Sequence, residues 1–262
     1  MKILSQTTPF PHQLAQADAL CRLCCQTDHS QLDFPHDGDF YVFAFENNRL
    51  LAALCLFAED DTLFDLYAFT HPASRRQGLF TALRSEAEAW ILETAPDAQI
   101  DFIVDTACEA SRHTLLTLEA EPLYEDILME LTRTDSSPLL PSLPNALPDG
   151  YRFLRLRDEE DKDSLSYGLQ ESKSGTFVCS LSLFPQGNGC LWLHHVQTAK
   201  TFRRRGFAFL LLSLLLFELS QNPKWTSLRL HVTSDNVAAL SLYKKAGFRP
   251  IQTLSHYAYT RF

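Results

Sequence analysis

The segment LWLHHVQTAKTFRRRGFA, residues Leu191–Ala208, joins an apolar strand to an apolar helix through a basic turn. The strand is predicted to end near Thr198, and the helix to begin after Gly206, with three arginines directly before that glycine. Backbone N–H groups in the first turn of a helix have no partner within the helix, and the helix dipole is positive there. The turn is therefore predicted to bind a phosphate or pyrophosphate, and Gly206 lets that ligand approach the backbone.

The amino-acid composition limits the classes of partner. The chain has 32 acidic side chains against 23 lysines and arginines, and a formal net charge of −9. A general nucleic-acid-binding protein would show a basic surface, so we expect no nucleic-acid partner, and a cationic small molecule or peptide is favoured. The apolar run Phe207–Phe217 is too short to span a bilayer, and residues 1–10 lack the apolar core of a signal peptide. We expect a cytoplasmic protein with no membrane partner.

Cysteine usage favours the same compartment. Seven cysteines, an odd number, lie in apolar segments, as is typical of a reducing environment. Cys21, Cys24 and Cys25 follow a helical spacing, and no second pair of cysteines or histidines stands at zinc-finger spacing. We interpret these three residues as buried thiols of a helix and predict no metal site.

The order of predicted elements repeats once along the chain, at a distance of about 130 residues. Each copy consists of a meander of strands, a basic glycine-containing turn, a helix, a strand, a helix and a strand. Residues 135–150 contain four prolines and are predicted to be an extended linker. The predicted domains are therefore residues 1–134 and 151–262.

The two copies differ before the meander. Residues 11–26 of the first copy have helical periodicity, whereas residues 157–164 of the second are too few for an equivalent helix. The second domain is therefore predicted to lack it. The predicted helix at residues 207–219 is apolar on nearly every face, which predicts burial on both sides. Its cover would be either the N-terminal domain or the second subunit of a homodimer.

Two segments of the second copy resemble motifs of the GNAT (N-acetyltransferase) superfamily. Residues 196–208, which end in RRRGFA, resemble its acetyl-coenzyme A signature, R/Q-x-x-G-x-G/A. Residues 236–248, NVAALSLYKKAGF, resemble its second motif, which is the more specific of the two. The resemblance implies an α/β (α+β) fold of two tandem GNAT-like domains, each a mixed, mostly antiparallel sheet flanked by helices.

The first copy resembles the same signature less closely. Its turn consists of Arg75, Arg76, Gln77, Gly78, Leu79 and Phe80. Phe80 replaces the small third residue, and no Gly-Phe pair follows the predicted second motif, where Thr117 is aligned with Tyr243. We therefore interpret the N-terminal domain as degenerate and its turn as a secondary coenzyme A site.

The resemblance also implies a function, the transfer of an acetyl group from acetyl-CoA to a primary amine of a small molecule or peptide. The amine would attack the thioester directly while both substrates are bound. The resemblance implies that Val196 and Thr198 pair with the pantetheine arm, that Tyr243 protonates the leaving thiolate, and that Asn236 contacts pantetheine or caps the helix. The residues expected to hold the pyrophosphate are Arg203, Arg204, Arg205, Gly206, Phe207 and Ala208.

The general base is less well determined. His194 and His195 are the candidates nearest the signature, and strand alternation lets one of them face the cleft unless a bulge intervenes. Two alternatives remain open. The protein could be a non-catalytic coenzyme A-binding or partner-binding scaffold, or the N-terminal domain could be the active one, with Asp65 as its base.

Overall fold

The computed structural model describes residues 1–133, 147–157, 164–222 and 224–259. Contacts between α-carbons divide the chain into a first unit, Met1–Asp126 with Gln252–Phe262, and a second unit, Ile127–Ile251. This division differs from the predicted domains because the last strand of each half pairs within the other unit. Residues 135–146 of the predicted linker lie outside the described part of the chain.

The first unit contains every element of the predicted repeat. Its elements are β1 (Lys2–Gln6), α1 (Pro11–Asp28), β2 (Phe40–Glu46), β3 (Arg49–Asp60), β4 (Leu63–Thr70), α2 (Leu79–Thr94), β5 (Gln99–Asp105) and α3 (Glu109–Thr117). Strand β6 (Glu121–Thr132) begins in the first unit and continues into the second. The alternation of apolar and polar residues along the meander, followed by a helical periodicity, explains this order of elements.

The second unit repeats the order without a counterpart of α1 in its described residues. Its elements are β7 (Tyr151–Arg157), β8 (Leu165–Glu171), β9 (Phe177–Gly187), β10 (Cys190–Thr198), α4 (Phe207–Ser220), β11 (Ser227–Thr233) and α5 (Val237–Lys245). Strand β12 (Arg249–Tyr259) begins here and continues into the first unit. Residues 158–164 connect β7 to β8, and of these only residue 164 is described.

The sheet of the first unit has the strand order β1-β2-β3-β4-β5-β12. Strands β4 and β5 are parallel over Leu63–Leu66 and Gln99–Phe102, and the other described pairs are antiparallel. The C-terminal strand β12 pairs with β5 through residues 254–259. One apolar core lies between the sheet and α1, and another lies between the sheet and α2.

The sheet of the second unit has the corresponding order, β7-β8-β9-β10-β11-β6. Strands β10 and β11 are parallel over Cys190–Trp192 and Ser227–Arg229. Strand β6 takes the place beside β11 that β12 takes beside β5. Each unit is thus a mixed, mostly antiparallel sheet flanked by helices, as predicted, and its last strand comes from the other half of the chain.

Helix α4 only partly follows its predicted burial. One side is buried in the core of the second unit, through Leu211, Leu212, Leu215 and Leu216. The opposite side is not enclosed within this unit, because Phe217 is 42% exposed. No helix in the described part of the chain is both long enough and apolar enough to cross a membrane.

The cysteines of α1 are core thiols, as predicted. Cys21 and Cys24 are buried in the apolar core between α1 and the sheet, and Cys25 packs against the same core. Burial raises the pKa of the Cys24 thiol to about 11, because an apolar environment disfavours the thiolate. All seven cysteines are free thiols.

Candidate active site

Each unit contains a pair of parallel strands that pair over a few residues only. The β4–β5 ladder ends at Leu66 and Phe102, and the β10–β11 ladder ends at Trp192 and Arg229. Beyond these residues the main chain of β4 and β10 has no ladder partner on that side among the described residues. An extended ligand with amide groups can therefore pair with this edge.

Each diverging strand leads into a turn of the same geometry. Arg76 and Gly78 have φ angles of 61° and 77°, and Arg204 and Gly206 have φ angles of 58° and 84°. Left-handed backbone is strained for arginine, and such strain is concentrated at functional sites. Neither α2 nor α4 has a side-chain N-cap, so the first N–H groups of both helices point outward without one. Both turns can bind an anion.

The predicted residues of the second turn have different environments. Arg203 donates from Nε to the carbonyl oxygen of Thr198 at 3.0 Å, which ties the turn to the end of β10. The Arg205 guanidinium lies over the rings of Phe202 and Phe207, at 5.7 and 6.0 Å from their centroids. Phe207 is buried, whereas Ala208 is half-buried at the start of α4.

Strand β10 has a bulge directly before this turn. The register against β9 shifts between His194 and Gln197, and His195 has a φ of 52°. Because of the bulge, the side chains do not alternate as a regular strand requires, and the Nδ1 atoms of His194 and His195 lie 3.1 Å apart. His194 is half-buried and His195 is exposed, while Val196 and Thr198 are half-buried.

Helix α5 presents the two predicted residues of the second motif. Asn236 is the N-cap, and its side chain accepts a hydrogen bond from the backbone N–H of Ala239 at 3.2 Å. Tyr243 is buried in the core of the second unit. Burial raises the pKa of Tyr243, so the hydroxyl keeps its proton at neutral pH and can donate it.

A cavity of about 730 Å³ lies in the first unit, beside the glycine turn that precedes α2. Its lining comes from the diverging ends of β4 and β5, the first turn, the start of α3 and the end of α1. Five of the six predicted residues of that turn line it, namely Arg75, Arg76, Gly78, Leu79 and Phe80. The Phe80 ring packs 6.2 Å from that of Phe102 instead of closing the cavity.

The first arginine of this turn is held by helix α1. Arg75 donates from both terminal nitrogens to the Asp28 carboxylate, at 2.8 and 2.6 Å. It also donates from Nε to the carbonyl oxygen of Thr70 at 3.2 Å, as Arg203 does to Thr198. The bidentate pair fixes the turn to the end of α1 and leaves the backbone N–H groups, rather than this guanidinium, for an anion.

Two carboxylates lie directly opposite each other at the parallel pair of the first unit. Asp65 of β4 pairs in register with Asp101 of β5, and they are 7% and 2% exposed. Burial, with the nearby carboxyls Glu59 and Asp101, raises the pKa of Asp65 to about 7. His256 of β12 completes the group, and its ligand atom and the carboxylate oxygens lie within 4.8 Å of one another.

Comparisons with known proteins agree with this geometry. Residues 126–248 match the sequence model of the acetyltransferase (GNAT) family. No curated protein matches the sequence. Residues 126–248 belong to the GNAT family.

Solved structures extend the GNAT fold to the rest of the chain. A GCN5-related N-acetyltransferase from Sphaerobacter thermophilus has a TM-score of 0.77 at 16% identity, covering 98% of this chain and 95% of that chain. A tandem GNAT protein from the clavulanic acid biosynthesis pathway has a TM-score of 0.71 at 13% identity, covering 98% of both chains. A GNAT acetyltransferase from Colwellia psychrerythraea has a TM-score of 0.60 at 15% identity, covering 99% of this chain and all of that chain. These likenesses show the fold.

The GNAT family match coincides closely with the second unit. It starts at residue 126 and ends at residue 248, and the second unit is Ile127–Ile251. The matched range therefore includes the half of β6 that joins the second sheet and excludes β12. The first unit has the GNAT fold but lies outside the matched range, in agreement with its less complete motifs.

The two GNAT units differ at the tyrosine position. Helices α3 and α5 have the same length, and Leu115 and Tyr243 take the same place within them, each as the one buried residue that the structure describes for its helix. Leu115, rather than Thr117, is therefore the counterpart of Tyr243. Glu119, with a φ of 55°, stands where Gly247 has a φ of 98°. The first unit thus has no tyrosine hydroxyl at this position.

Sequence reasoning missed two residues of the first unit. Asp101 interrupts the apolar strand QIDFIVD, and a carboxylate inside such a run is a signal that we did not use. His256 lies in the last strand, and no local pattern places it beside β5. Only the pairing of β12 with β5 brings it to Asp101.

Proposed function

We propose that this protein transfers an acetyl group from acetyl-CoA to a primary amine. One observation carries the proposal: in each unit, a diverging parallel strand leads into an uncapped glycine turn at the start of a helix. The residues present fit the pyrophosphate and pantetheine of the coenzyme. A Cβ atom built at Gly78 or Gly206 would meet no atom within 4 Å, so both turns are open to a close approach of the phosphates.

The chain would hold the two substrates together. The N–H groups at the starts of α2 and α4 bind the pyrophosphate, and the free edges of β4 and β10 pair with the amides of pantetheine. When bound, acetyl-CoA supplies an acyl thioester that an amine can attack directly. Orientation of both reactants in one cleft removes much of the entropic barrier.

We place the reaction in the second unit, because its helix α5 carries a candidate proton donor and its strand β10 carries the candidate bases. Tyr243 donates its proton to the departing thiolate, and a backbone N–H near Val196, at the bulge, polarises the thioester carbonyl. His194 and His195 are the candidate bases, because a neutral imidazole can remove a proton from an ammonium group. The family match over this unit supports the placement.

A second placement is favoured by a different observation. The first unit has the cavity, the helix α1 beside it, and a buried carboxyl, Asp65, whose pKa of about 7 suits a general base. Its tyrosine position is Leu115, so the thiolate would have to take its proton from the amine or from water. The transferase activity is the same in both placements, and the residues that carry it differ.

The activity is tested with the full-length chain, acetyl-CoA and a panel of primary amines. The panel contains aliphatic monoamines, oligoamines, amino sugars, amino acids and a lysine peptide, and mass spectrometry detects an acetylated product. Transfer to at least one amine at a rate above the chain-free control supports the proposal. Acetyl-CoA binding without transfer to any of them favours the scaffold function, and absence of acetyl-CoA binding contradicts both.

A further inference from the structure

The carboxylates of the first unit lie in a site without a cation of its own. Asp65 is 7% exposed, and among the described residues no N–H group, lysine or arginine donates to it. The neighbouring groups that raise its pKa are carboxyls as well, those of Glu59 and Asp101. Asp101 accepts one hydrogen bond, from the Gln99 side chain at 2.7 Å. Two buried carboxylates side by side repel each other unless a proton or a cation lies between them.

The imidazole of His256 also has a ring nitrogen that makes no hydrogen bond to the described residues. Its Nδ1 is enclosed by protein and has no hydrogen-bond partner among the described residues. Burial lowers the pKa of His256, so the ring is neutral near pH 7 and offers a lone pair. Tyr124 stacks on the ring at 4.3 Å and holds it in place. A buried, unpartnered acceptor beside two carboxylates indicates a missing donor.

The spacing of these acceptors fits a primary ammonium group. Its three N–H bonds are tetrahedral, so acceptors about 2.8 Å from the nitrogen lie about 4.6 Å from one another. One carboxylate oxygen from each of Asp65 and Asp101 and one ring nitrogen of His256 lie within 4.8 Å of one another. One ammonium group can therefore donate to all three residues at once.

Further acidic groups surround this trio. The titratable groups that act on it or on its neighbouring rings come from the segment before β2 and from β3, β4, β5, β6 and β12, namely Asp37, Cys55, Glu59, Asp65, Tyr67, Asp101, Tyr124, Asp126 and His256. None of them is a lysine or arginine, so the local potential attracts more than one positive charge. The tyrosine rings offer apolar surface to the methylene groups between such charges.

From this arrangement we propose that Asp65, Asp101 and His256 bind one ammonium group of an aliphatic oligoamine, which is the acetyl acceptor. The inference rests on the proposed acetyltransferase function, and on its placement in the first unit. Asp65 and Asp101 form the third of four residue pairs in the β4–β5 ladder, and the fourth pair, Leu66 and Phe102, lines the cavity. The C-terminal strand therefore contributes His256 to acceptor binding in the first unit.

The same trio can begin the reaction. Asp65 takes one proton from the ammonium group: an N–H bond breaks, an O–H bond forms, and the neutral amine keeps the electron pair. As this pair forms the new C–N bond, the C–S bond breaks and its electrons go to sulfur. The amide nitrogen then gives a proton to the thiolate, and Asp65 releases its proton to solvent.

Binding is tested without acetyl-CoA, by calorimetric titration of spermidine and n-butylamine into the full-length chain at pH 7.5. We expect spermidine to bind at least tenfold more tightly than n-butylamine. Asp101→Asn and His256→Gln should each weaken spermidine binding at least tenfold, whereas Glu93→Gln, an exposed site with the same charge change as Asp101→Asn, should change it less than twofold. Thermal unfolding shows whether each variant is folded. If Asp101→Asn or His256→Gln is unfolded, Asp65→Asn is measured in its place.

Several results would overturn the assignment. Equal spermidine affinity in Asp101→Asn and Glu93→Gln would mean that spermidine binds the acidic surface in general. Stoichiometric binding of Mn²⁺ or Zn²⁺ that Asp101→Asn abolishes, without spermidine binding, would make the trio a metal site. Acetylation of other amines without spermidine binding contradicts the ammonium site alone, whereas spermidine binding without transfer to any amine contradicts the acetyltransferase function.

Discussion

The two units have the same strand order and the same glycine turn, but different sheet faces. In the first unit, α1 covers one face of the sheet, and the residues beneath it are buried and mostly aromatic or apolar. The second unit has small or hydroxyl-bearing residues at the same positions. The register-matched pairs are Tyr41–Cys55 and Phe43–Ala53 in the first unit, and Ser166–Ser182 and Gly168–Ser180 in the second.

This difference shows how a duplicated fold can dispense with a helix. An apolar face without its helix would be exposed to water, at a cost of about 25 cal/mol per Å². Serines at these positions satisfy each other instead, as in the 2.8 Å hydrogen bond between Ser166 and Ser182. The described residues of the second unit include no counterpart of α1, and the polar residues on the corresponding face of its sheet agree with this.

The two units also differ in the charge of the side chains on their parallel strands. The third residue pair of the ladder is Asp65–Asp101 in the first unit and Trp192–Arg229 in the second. Arg229 donates from Nε to Glu130 at 2.7 Å, so its charge is compensated within the second unit. The two units therefore do not offer the same site twice, because only the Asp65–Asp101 pair leaves uncompensated negative charge.

The largest expected effect concerns the exchange of strands. The fragment 127–251 contains the second half of β6 and should fold alone, whereas the fragment 148–262 lacks β6, including the buried Met129 and Leu131, and should not fold. The missing strand leaves an open sheet edge and removes core side chains that cost about 2–5 kcal/mol each. Circular dichroism during heating measures the unfolding temperature of both fragments. Cooperative unfolding of 148–262 at the temperature of 127–251 would show that the exchanged strand is dispensable.

The second prediction concerns the tyrosine position. If the reaction takes place in the second unit, Tyr243→Phe should lower kcat about 100-fold, with the KM for acetyl-CoA changed less than twofold, because a proton donor to the thiolate is lost. Leu115→Met, a change of similar volume at the matched position, should leave kcat within twofold. Steady-state kinetics decides between the units, since an unchanged kcat in Tyr243→Phe with a large loss in Asp65→Asn assigns the reaction to the first.

The third prediction concerns the pH dependence of stability. The pKa of Asp65 is raised to about 7, so the folded chain binds more protons than the unfolded chain between pH about 4 and 7, and stability falls as pH rises through this range. Asp65→Asn removes this penalty and should increase the free energy of unfolding by about 1–3 kcal/mol at pH 8, and by little at pH 4. Urea unfolding at both pH values measures the difference. The exposed Asp61→Asn is the control, and an equal gain in it would contradict the assignment to Asp65.

The smallest effect is expected at the two turn glycines. Gly78→Ala and Gly206→Ala should each weaken acetyl-CoA binding in their own unit roughly tenfold, because a Cβ atom reaches into the space that the phosphates need. Each should also cost about 1 kcal/mol of stability, since both glycines have positive φ. Calorimetry gives affinity and stoichiometry together. A variant with unchanged acetyl-CoA affinity would show that its turn holds no coenzyme.

Most of the fold could be predicted from local patterns. Helical periodicity predicted α1 and α2, the alternation of residues predicted the meanders, and the repeated turn predicted the duplication. The glycine turns could be predicted because they require positive φ close to a ligand, and glycine is the residue that allows both. Asn236 could be predicted as an N-cap for a similarly local reason.

The candidate site was less predictable, because it depends on pairing between distant segments. The alignment of Thr117 with Tyr243 was in error by two residues, since no glycine marks the end of α3 as Gly247 does after α5. The alternation of His194 and His195 was expected unless a bulge intervened, and the structure has a bulge there that no residue of β10 predicts. The bulge is set by the register against β9, which is a tertiary property.

The sequence by itself determined that the chain contains two copies of one fold, and that each copy carries a basic glycine turn at the start of a helix. Those properties follow from short-range patterns, because turns and helix starts depend on neighbouring residues. Only the tertiary structure decided which strand completes each sheet. That exchange brings His256 beside Asp65 and Asp101, because hydrogen-bonded strands can come from any distance along a chain and sequence order does not fix their partners.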